Sequence, residues 1–389
     1  MGKQIQVGVV GSAVLAPRYP ERTFLEEKMH AVTHAALRDA GIGIEDIDGI
    51  VVAACDQLDG RAIAIMMASG SVGGVSRDIL ATPSSAEHAF VLGALRVRSG
   101  MYRTQLVVAW SPLETDDISN VQRMGTDPYY HRPLPLDELS SHALQANALE
   151  AKVPGLREAA VTVTETNRRQ GAMAHPDYSP APREKVLIES GKMLRWPITE
   201  GMVTPPGFGL VAMVLASDDW IAERKDLKTA WVHGMGWATE ATYLGDRDLS
   251  TLPSLDSAVE QAYRESGINI KKPDFDLAEV ADATPYQQLL ALEGLGLCGR
   301  EEWVKSTAAG KFEKGGKTPV NLSGGALSFN PVFCTGMISI AEAANQTRGC
   351  AGPHQQANVK KAVAHGASGF AMQYNTVVVF GRESMESAK

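Results

Sequence analysis

The chain is poor in cysteine, with four in 389 residues: Cys55, Cys298, Cys334 and Cys350. None forms a C-x-x-C pair or a metal-like cluster with histidine, so no zinc ribbon and no metal site is expected. A disulfide scaffold is excluded as well, and a reduced, cytoplasmic protein with buried thiols is the simplest expectation. Long apolar runs are also missing. Leu210 to Ala216 is among the longest and is far too short to span a bilayer, so no membrane segment is expected. The opening MGKQIQVGVVGSAVL lacks the apolar core of a secretory signal and the Ser/Thr of a myristoylation signal, and it reads as a first strand. Basic blocks are absent: 37 Lys and Arg face 45 Asp and Glu, for a net charge of −8, which argues against a nucleic-acid surface.

What is present is ordinary globular material, 44% apolar and 21% charged, arranged as alternating strand and helix signals. Buried-strand runs such as Gly49 to Ala54 and Gln105 to Trp110 alternate with helical spacing over Glu27 to Asp39 and Ser85 to Ser99, stopped by Gly41 and Gly100. This pattern predicts an α/β domain with helices on both faces. From about Ser111 to Gly201 the rhythm breaks into Pro-, Tyr-, Asp- and Met-rich sequence, read as an insertion lying over the core, a substrate lid. GLVAMVLAS, residues 209 to 217, then restores the pattern.

The chain also echoes itself. ALRDAGIGIEDIDGI at 36 to 50 and AYRESGINIKKPDFDLAE at 262 to 279 share a helix end, a stopping glycine (Gly41, Gly267) and an Asp before a buried strand. A helix, Gly100 and the strand LVVAW are matched by a helix, Gly349, a longer linker and the strand TVVVF. Two matches in the same order predict two similar halves: residues 1–110 with 202–250, and 251–389, separated by the lid at 111–201.

The stretch NLSGGALSFNPVFCTGM, Asn321 to Met337, sets Gly324-Gly325 between a strand and an apolar helix, a turn suited to close approach by a ligand. Together with AALRDAGIGIEDIDGIVVA near the start and EVADATPYQQLLALEGLGLCGR at 279 to 300, it resembles the thiolase superfamily, and most of all its sterol-carrier-protein and lipid-transfer-protein branch. The resemblance covers nearly the whole chain except the lid. It implies a five-layer αβαβα fold, a homodimer, and coenzyme A thioesters as substrates rather than a bound cofactor. It also implies a separate OB-fold, zinc-ribbon subunit as partner. Asn321, Ser323, Gly324, Gly325, Phe333 and Cys334 are then the expected substrate-contacting positions, although Cys334 also reads as packing.

The departures from that family fall at its catalytic positions. Thiolases carry a nucleophilic cysteine at a helix N-terminus, where the dipole favours thiolate. Counting back from Gly100 puts Pro83 there, and no cysteine occurs from Asp56 to Leu297. Ser84 or Ser85 could act instead with His88 on the same helical face as base, or the pair could simply cap the helix. Where the branch often has a histidine followed by Asp, this chain has Ala281-Asp282, and Tyr286 follows as a candidate proton donor. Asn330 falls at the place of the G-H-P histidine. It can donate a hydrogen bond to a thioester oxygen but cannot shuttle protons. His365 lies near the family's general-base position and is the remaining acid–base candidate. The expected function is carbon–carbon bond cleavage or formation on an acyl-CoA without an acyl-cysteine, by retro-aldol cleavage or by Claisen-type acyl transfer. The alternative is a catalytically degenerate subunit supporting a partner's site.

Overall fold

The computed structural model describes residues 5–16, 24–60, 63–83, 85–111 and 117–385. Its main sheet has nine strands: β1 (Val7–Leu15), β2 (Gly49–Ala53), β3 (Asp78–Thr82), β4 (Thr104–Ser111), β5 (Gly209–Ser217), β6 (Ala230–Thr239), β7 (Leu277–Glu279), β8 (Lys361–Ser368) and β9 (Tyr374–Gly381). The longer helices are α1 (Leu25–Ala40), α2 (Ala86–Arg98), α3 (Glu138–Glu150), α4 (Leu156–Ala174), α5 (Pro253–Ser266), α6 (Pro285–Gly294) and α7 (Thr335–Arg348). Among the described residues no helix is long and apolar enough to cross a membrane.

The strand order is β3-β2-β4-β5-β1-β6-β9-β8-β7, and Val320 adds a parallel bridge to Ala278 at the β7 edge. Reading inward from each edge gives one series twice: β3, β2, β4, β5, β1 and Val320, β7, β8, β9, β6. Directions agree too. β2 is parallel to β3 and β4, and the next two pairings are antiparallel. β7 is parallel to Val320 and β8, and again the next two are antiparallel. The series join where β1 meets β6, with Gly8 opposite Trp231 and Val9 opposite Ala230.

The expected two similar halves are therefore visible, with one partner changed. The sequence echo matched LVVAW to TVVVF. In the fold LVVAW lies in β4, whose counterpart is β8, whereas TVVVF lies in β9, the counterpart of β5. A helix–glycine–strand pattern cannot distinguish the first strand of a hairpin from the second. The sequence reading also grouped residues 202–250 with the first half. Because β6 pairs with β9 along most of its length and with β1 only at its start, we propose a division between β5 and β6.

Alternate residues of the strands enter different cores, and this builds five layers. Leu106, Val108 and Trp110 of β4 pack with Met29, Val32 and Leu37 of α1. Val107 and Ala109 face the other way, with Phe90 and Ala94 of α2 and Met337 and Ile340 of α7. In the second half Ala362 and Ala364 of β8 join that same central core, while Val363 turns out to Leu255 and Val259 of α5 and Leu289 of α6. Helices α2 and α7 thus form the middle layer. Gly41 and Gly267 close α1 and α5 in the left-handed region, as their sequence positions predict.

The insertion joins β4 to β5 through residues 112–208, where the equivalent β8–β9 link needs only 369–373. Part of it belongs to the core. Leu156, Ala160 and Val163 of α4 are buried with α5 and α6. Arg168 Nε donates to the Leu327 carbonyl at 3.2 Å, and Gln170 Nε2 to those of Val320 and Asn321 at 3.0 and 2.9 Å. The outer part, with exposed Tyr129 and Tyr130, lies at the surface.

Candidate functional site

The glycine turn is built onto the end of β7. Asn321, in the left-handed region at φ 50°, accepts from Val280 N at 2.7 Å and donates to Val280 O at 3.1 Å, so one side chain replaces a strand pairing. Ser323 Oγ donates to Glu279 at 2.6 Å and accepts from Gly325 N at 3.1 Å. Asp282 accepts from Ala326 N at 2.6 Å, Leu327 N at 3.3 Å and Asn167 Nδ2 at 2.7 Å. Gly324 and Gly325 have φ of 90° and 57°, and a Cβ on Gly325 would run into the Asp282 carboxylate. The glycine pair is needed for both reasons. Burial pushes the Asp282 carboxyl up to about 7 despite its three donors. Burial, with Glu342 close by, pushes Glu279 up to about 8.

This turn faces the first turns of α7 across two small neighbouring cavities, termed arms below, that share part of their lining. One arm, about 30 Å³, holds roughly a water or two. Asp282, Thr335, Gly336, Ser339 and Ser368 line it, with Glu138 and His142 of α3 on the insertion side. Glu138 accepts from Gln122 Nε2, and burial pushes its carboxyl up to about 7. Burial lowers His142 to about 4, so its ring is neutral at pH 7. The second arm, about 20 Å³, is lined by His175, Tyr178, Ser323, Phe329 and Ile338, and shares Ala326, Thr335 and Ser339 with the first.

Behind the second arm is a cluster that the sequence reading missed. His175, at the C-terminus of α4, stacks on Tyr178 with centroids 4.7 Å apart, and its Nε2 lies 3.1 Å from Glu342 Oε1. His354 Nε2 lies 2.9 Å from the other oxygen of that carboxylate. Burial works to raise the Glu342 carboxyl, but the two histidine hydrogen bonds outweigh it and hold it at about 2. The three donor atoms lie within 4.8 Å of one another, the kind of set a divalent metal uses. Metal-bound histidine normally donates its second N–H outward, however, and Nδ1 of His354 is buried with no partner. A signal was present in the sequence. Thr335, Ser339 and Glu342 stand at i, i+4 and i+7 of a helix that is otherwise apolar as far as Ala344, a polar stripe that has to face a polar space.

Several expected site residues lie elsewhere. His365 shares its strand parity with Val363 and points out of the central layer. It is fully buried, bonded through Nε2 to Asn375 Oδ1 at 2.9 Å, and burial lowers it to about 4. Tyr286 is buried in the outer layer and donates to Glu150 at 2.5 Å. Asn330 Nδ2 donates to Thr204 O at 2.9 Å and its carbonyl accepts from Gly207 N at 2.7 Å, so it braces the strand approach rather than an oxyanion. His88 sits edge-on to Tyr374 at 5.8 Å and lines neither arm. Ser84 lies outside the described residues. Ser85 occupies the N-cap position of α2 without making a side-chain cap bond; its Oγ meets Glu87 and Ser368, each at 2.8 Å. Phe333 offers its carbonyl to Ala86 N at 3.2 Å. Cys334 is buried with its thiol pushed well up by burial, which fits packing rather than attack.

With the geometry in place, comparison with known proteins is informative. Residues 225–382 match the thiolase C-terminal domain-like family. Chicken sterol carrier protein 2 is 27% identical over 186 residues, 46% of this chain but only 33% of that protein. The 17-hydroxy-3-oxo-4-pregnene-20-carboxyl-CoA lyase of Mycobacterium tuberculosis is 27% identical over 349 residues, covering 81% of this chain and 84% of the lyase. A solved structure described as an Ltp2–ChsH2(DUF35) aldolase superposes with a TM-score of 0.80 at 19% identity over 97% of both chains.

Proposed function

Because this chain belongs to the thiolase superfamily, on the side of its sterol-carrier-protein-like branch, we propose that it cleaves or forms a carbon–carbon bond in acyl-CoA thioesters by retro-aldol chemistry, without an acyl-cysteine. One observation carries the reading: the cavity at the α7 N-terminus is lined by two carboxyls, Asp282 and Glu138, each pushed up to about 7, and by no thiol among the described residues. Groups with such values exchange protons readily at neutral pH. The unpaired N–H groups and dipole of α7 favour negative charge beside Thr335, where an enolate oxygen can be stabilised. The lyase relative and the aldolase neighbour support this direction of chemistry.

Coenzyme A enters as part of the substrate. The DUF35-containing neighbour supports a separate partner chain for this protein, an OB-fold, zinc-ribbon subunit that would bring the C-x-x-C pairs missing here; the homodimer is a proposal that rests on the family resemblance alone. Four unpaired thiols agree with a cytoplasmic setting.

A second reading has its own support. Both arms are too narrow for an acyl group as they stand, which favours a subunit that shapes a partner's acyl-CoA site. The deciding experiment follows aldehyde or ketone release from 3-hydroxyacyl-CoA esters by the chain alone and with its genomic neighbour. Turnover that falls at least tenfold in Glu138→Gln and Asp282→Asn supports the enzyme. Binding without turnover in either preparation supports the second reading, and no binding of any CoA ester sinks both.

A further inference from the structure

Retro-aldol cleavage needs one group to take the hydroxyl proton and another to give a proton to carbon. The carboxyl arm provides for one of these. We infer that His175 is the catalytic group of the other arm, fixed by Glu342 and His354, and that it accepts the hydroxyl proton of a 3-hydroxyacyl-CoA. This rests on the acyl-CoA reading above.

The geometry follows the logic of a base oriented by a carboxylate that is itself held from behind. His175 lines the cavity, whereas Glu342 and His354 stand behind it, buried at 4% and 6% exposure. Each oxygen of Glu342 engages a different ring, so the carboxylate cannot swing away from His175 without abandoning His354. The stacked Tyr178 ring fixes the imidazole plane. With Nε2 turned to the carboxylate, Nδ1 is the nitrogen left for a ligand. Ala326, Thr335 and Ser339 line both arms, so the α7 N-terminus borders the space that holds His175 and the space that holds the Asp282 and Glu138 carboxyls, and a thioester oxygen placed there lies between them.

The step balances without a further reactant. His175 Nδ1 takes the hydroxyl proton, and the oxygen becomes the carbonyl of the leaving aldehyde or ketone. The bond between Cα and Cβ breaks, and its electron pair becomes the thioester enolate beside α7. A protonated carboxyl of the first arm then gives its proton to Cα. His175 returns its proton to solvent and the carboxyl regains one.

The test uses 3-hydroxybutanoyl-CoA and the intact chain, with its partner subunit if the two copurify. The imidazole nitrogen resonances of His175, assigned by their loss in His175→Gln, are expected to shift on binding. The variant His175→Gly is expected to lose at least 100-fold in kcat with KM within threefold, and added imidazole to restore part of it, which a purely structural role would not permit. Glu342→Gln, which keeps the shape, is expected to lose about tenfold in kcat. Binding that leaves the His175 resonances unmoved, or undiminished cleavage by His175→Gln, overturns the assignment while the acyl-CoA reading stands. Failure of the wild-type chain to bind the thioester removes both.

Discussion

Helices α2 and α7 occupy corresponding places in the two halves, yet their N-termini do opposite things. The end of α2 is filled. Its Ala86 N–H is taken by the Phe333 carbonyl, Ser85 is tied to Ser368, and the buried Glu87 lies in its first turn. The end of α7 opens on a cavity through Thr335 and Ser339. Glu87 also packs directly against Gly336, so the closed end helps to wall the open one. A duplicated framework therefore offers two equivalent positive helix ends, and this chain plugs one and keeps the other. The position where the family's resemblance places a nucleophilic cysteine belongs to the plugged end.

The contrast can be broken most severely at Gly336. A Cβ there would collide with the Glu87 carboxylate, so Gly336→Val is expected to cost about 3 kcal/mol or more in urea unfolding and to abolish turnover. Gly325→Ala should cost less, about 1–2 kcal/mol, because it strains a φ of 57° and displaces the Asp282 carboxylate; a tenfold drop in kcat is the expected accompaniment. A third effect is spread over pH. Asp282, Glu138 and Glu279 have folded-state values of about 7, 7 and 8, above their unfolded ones. These carboxyls bind more protons in the folded chain, but buried His142 and His365, lowered from 6.5 to about 4, bind fewer and offset them at lower pH; the carboxyls act unopposed from about pH 6.5 to 8, and stability declines as pH rises through that window. Melting temperature measured across it should fall, and Asp282→Asn should flatten the slope; a rising curve would contradict the assigned shifts. The smallest effect is expected from Pro83→Cys, which restores a thiol at the plugged end. Position 83 is exposed, so the plug acts on the helix end and not on access; because the Ala86 N–H is already taken by Phe333, intact-mass spectrometry with acyl-CoA should find no thioester adduct, and an adduct would show that the plug does not disarm that end.

Much of the fold was legible because it follows from period and punctuation. Continuous apolar runs gave the doubly buried strands, and glycines gave the helix ends. The site was less so, for reasons that particular residues make clear. Asp282, Ser323 and Gly325 do line the two arms, and the sequence could point to them because backbone conformation and chain order constrain the turn. His365 was misplaced although the signal existed: on β8 it alternates with Ala364, which faces the central layer, so it must face away. Tyr286 failed similarly on α6, whose apolar residues cover the outer layer. His175 and His354 had no local signature at all, since they meet Glu342 only through the packing of α4 and the chain after α7.

Thr335, Ser339 and Glu342 share one face of a single uninterrupted helix, and this makes α7 a ruler. At a rise of 1.5 Å per residue, about 10 Å separates the charge-stabilising end from the carboxylate that holds His175. A rigid rod keeps that span constant, so both fittings hold one spacing. The same rigidity makes the helix intolerant of length changes: one residue added between Gly336 and Glu342 would turn the carboxylate by about 100° and point it into the wrong layer.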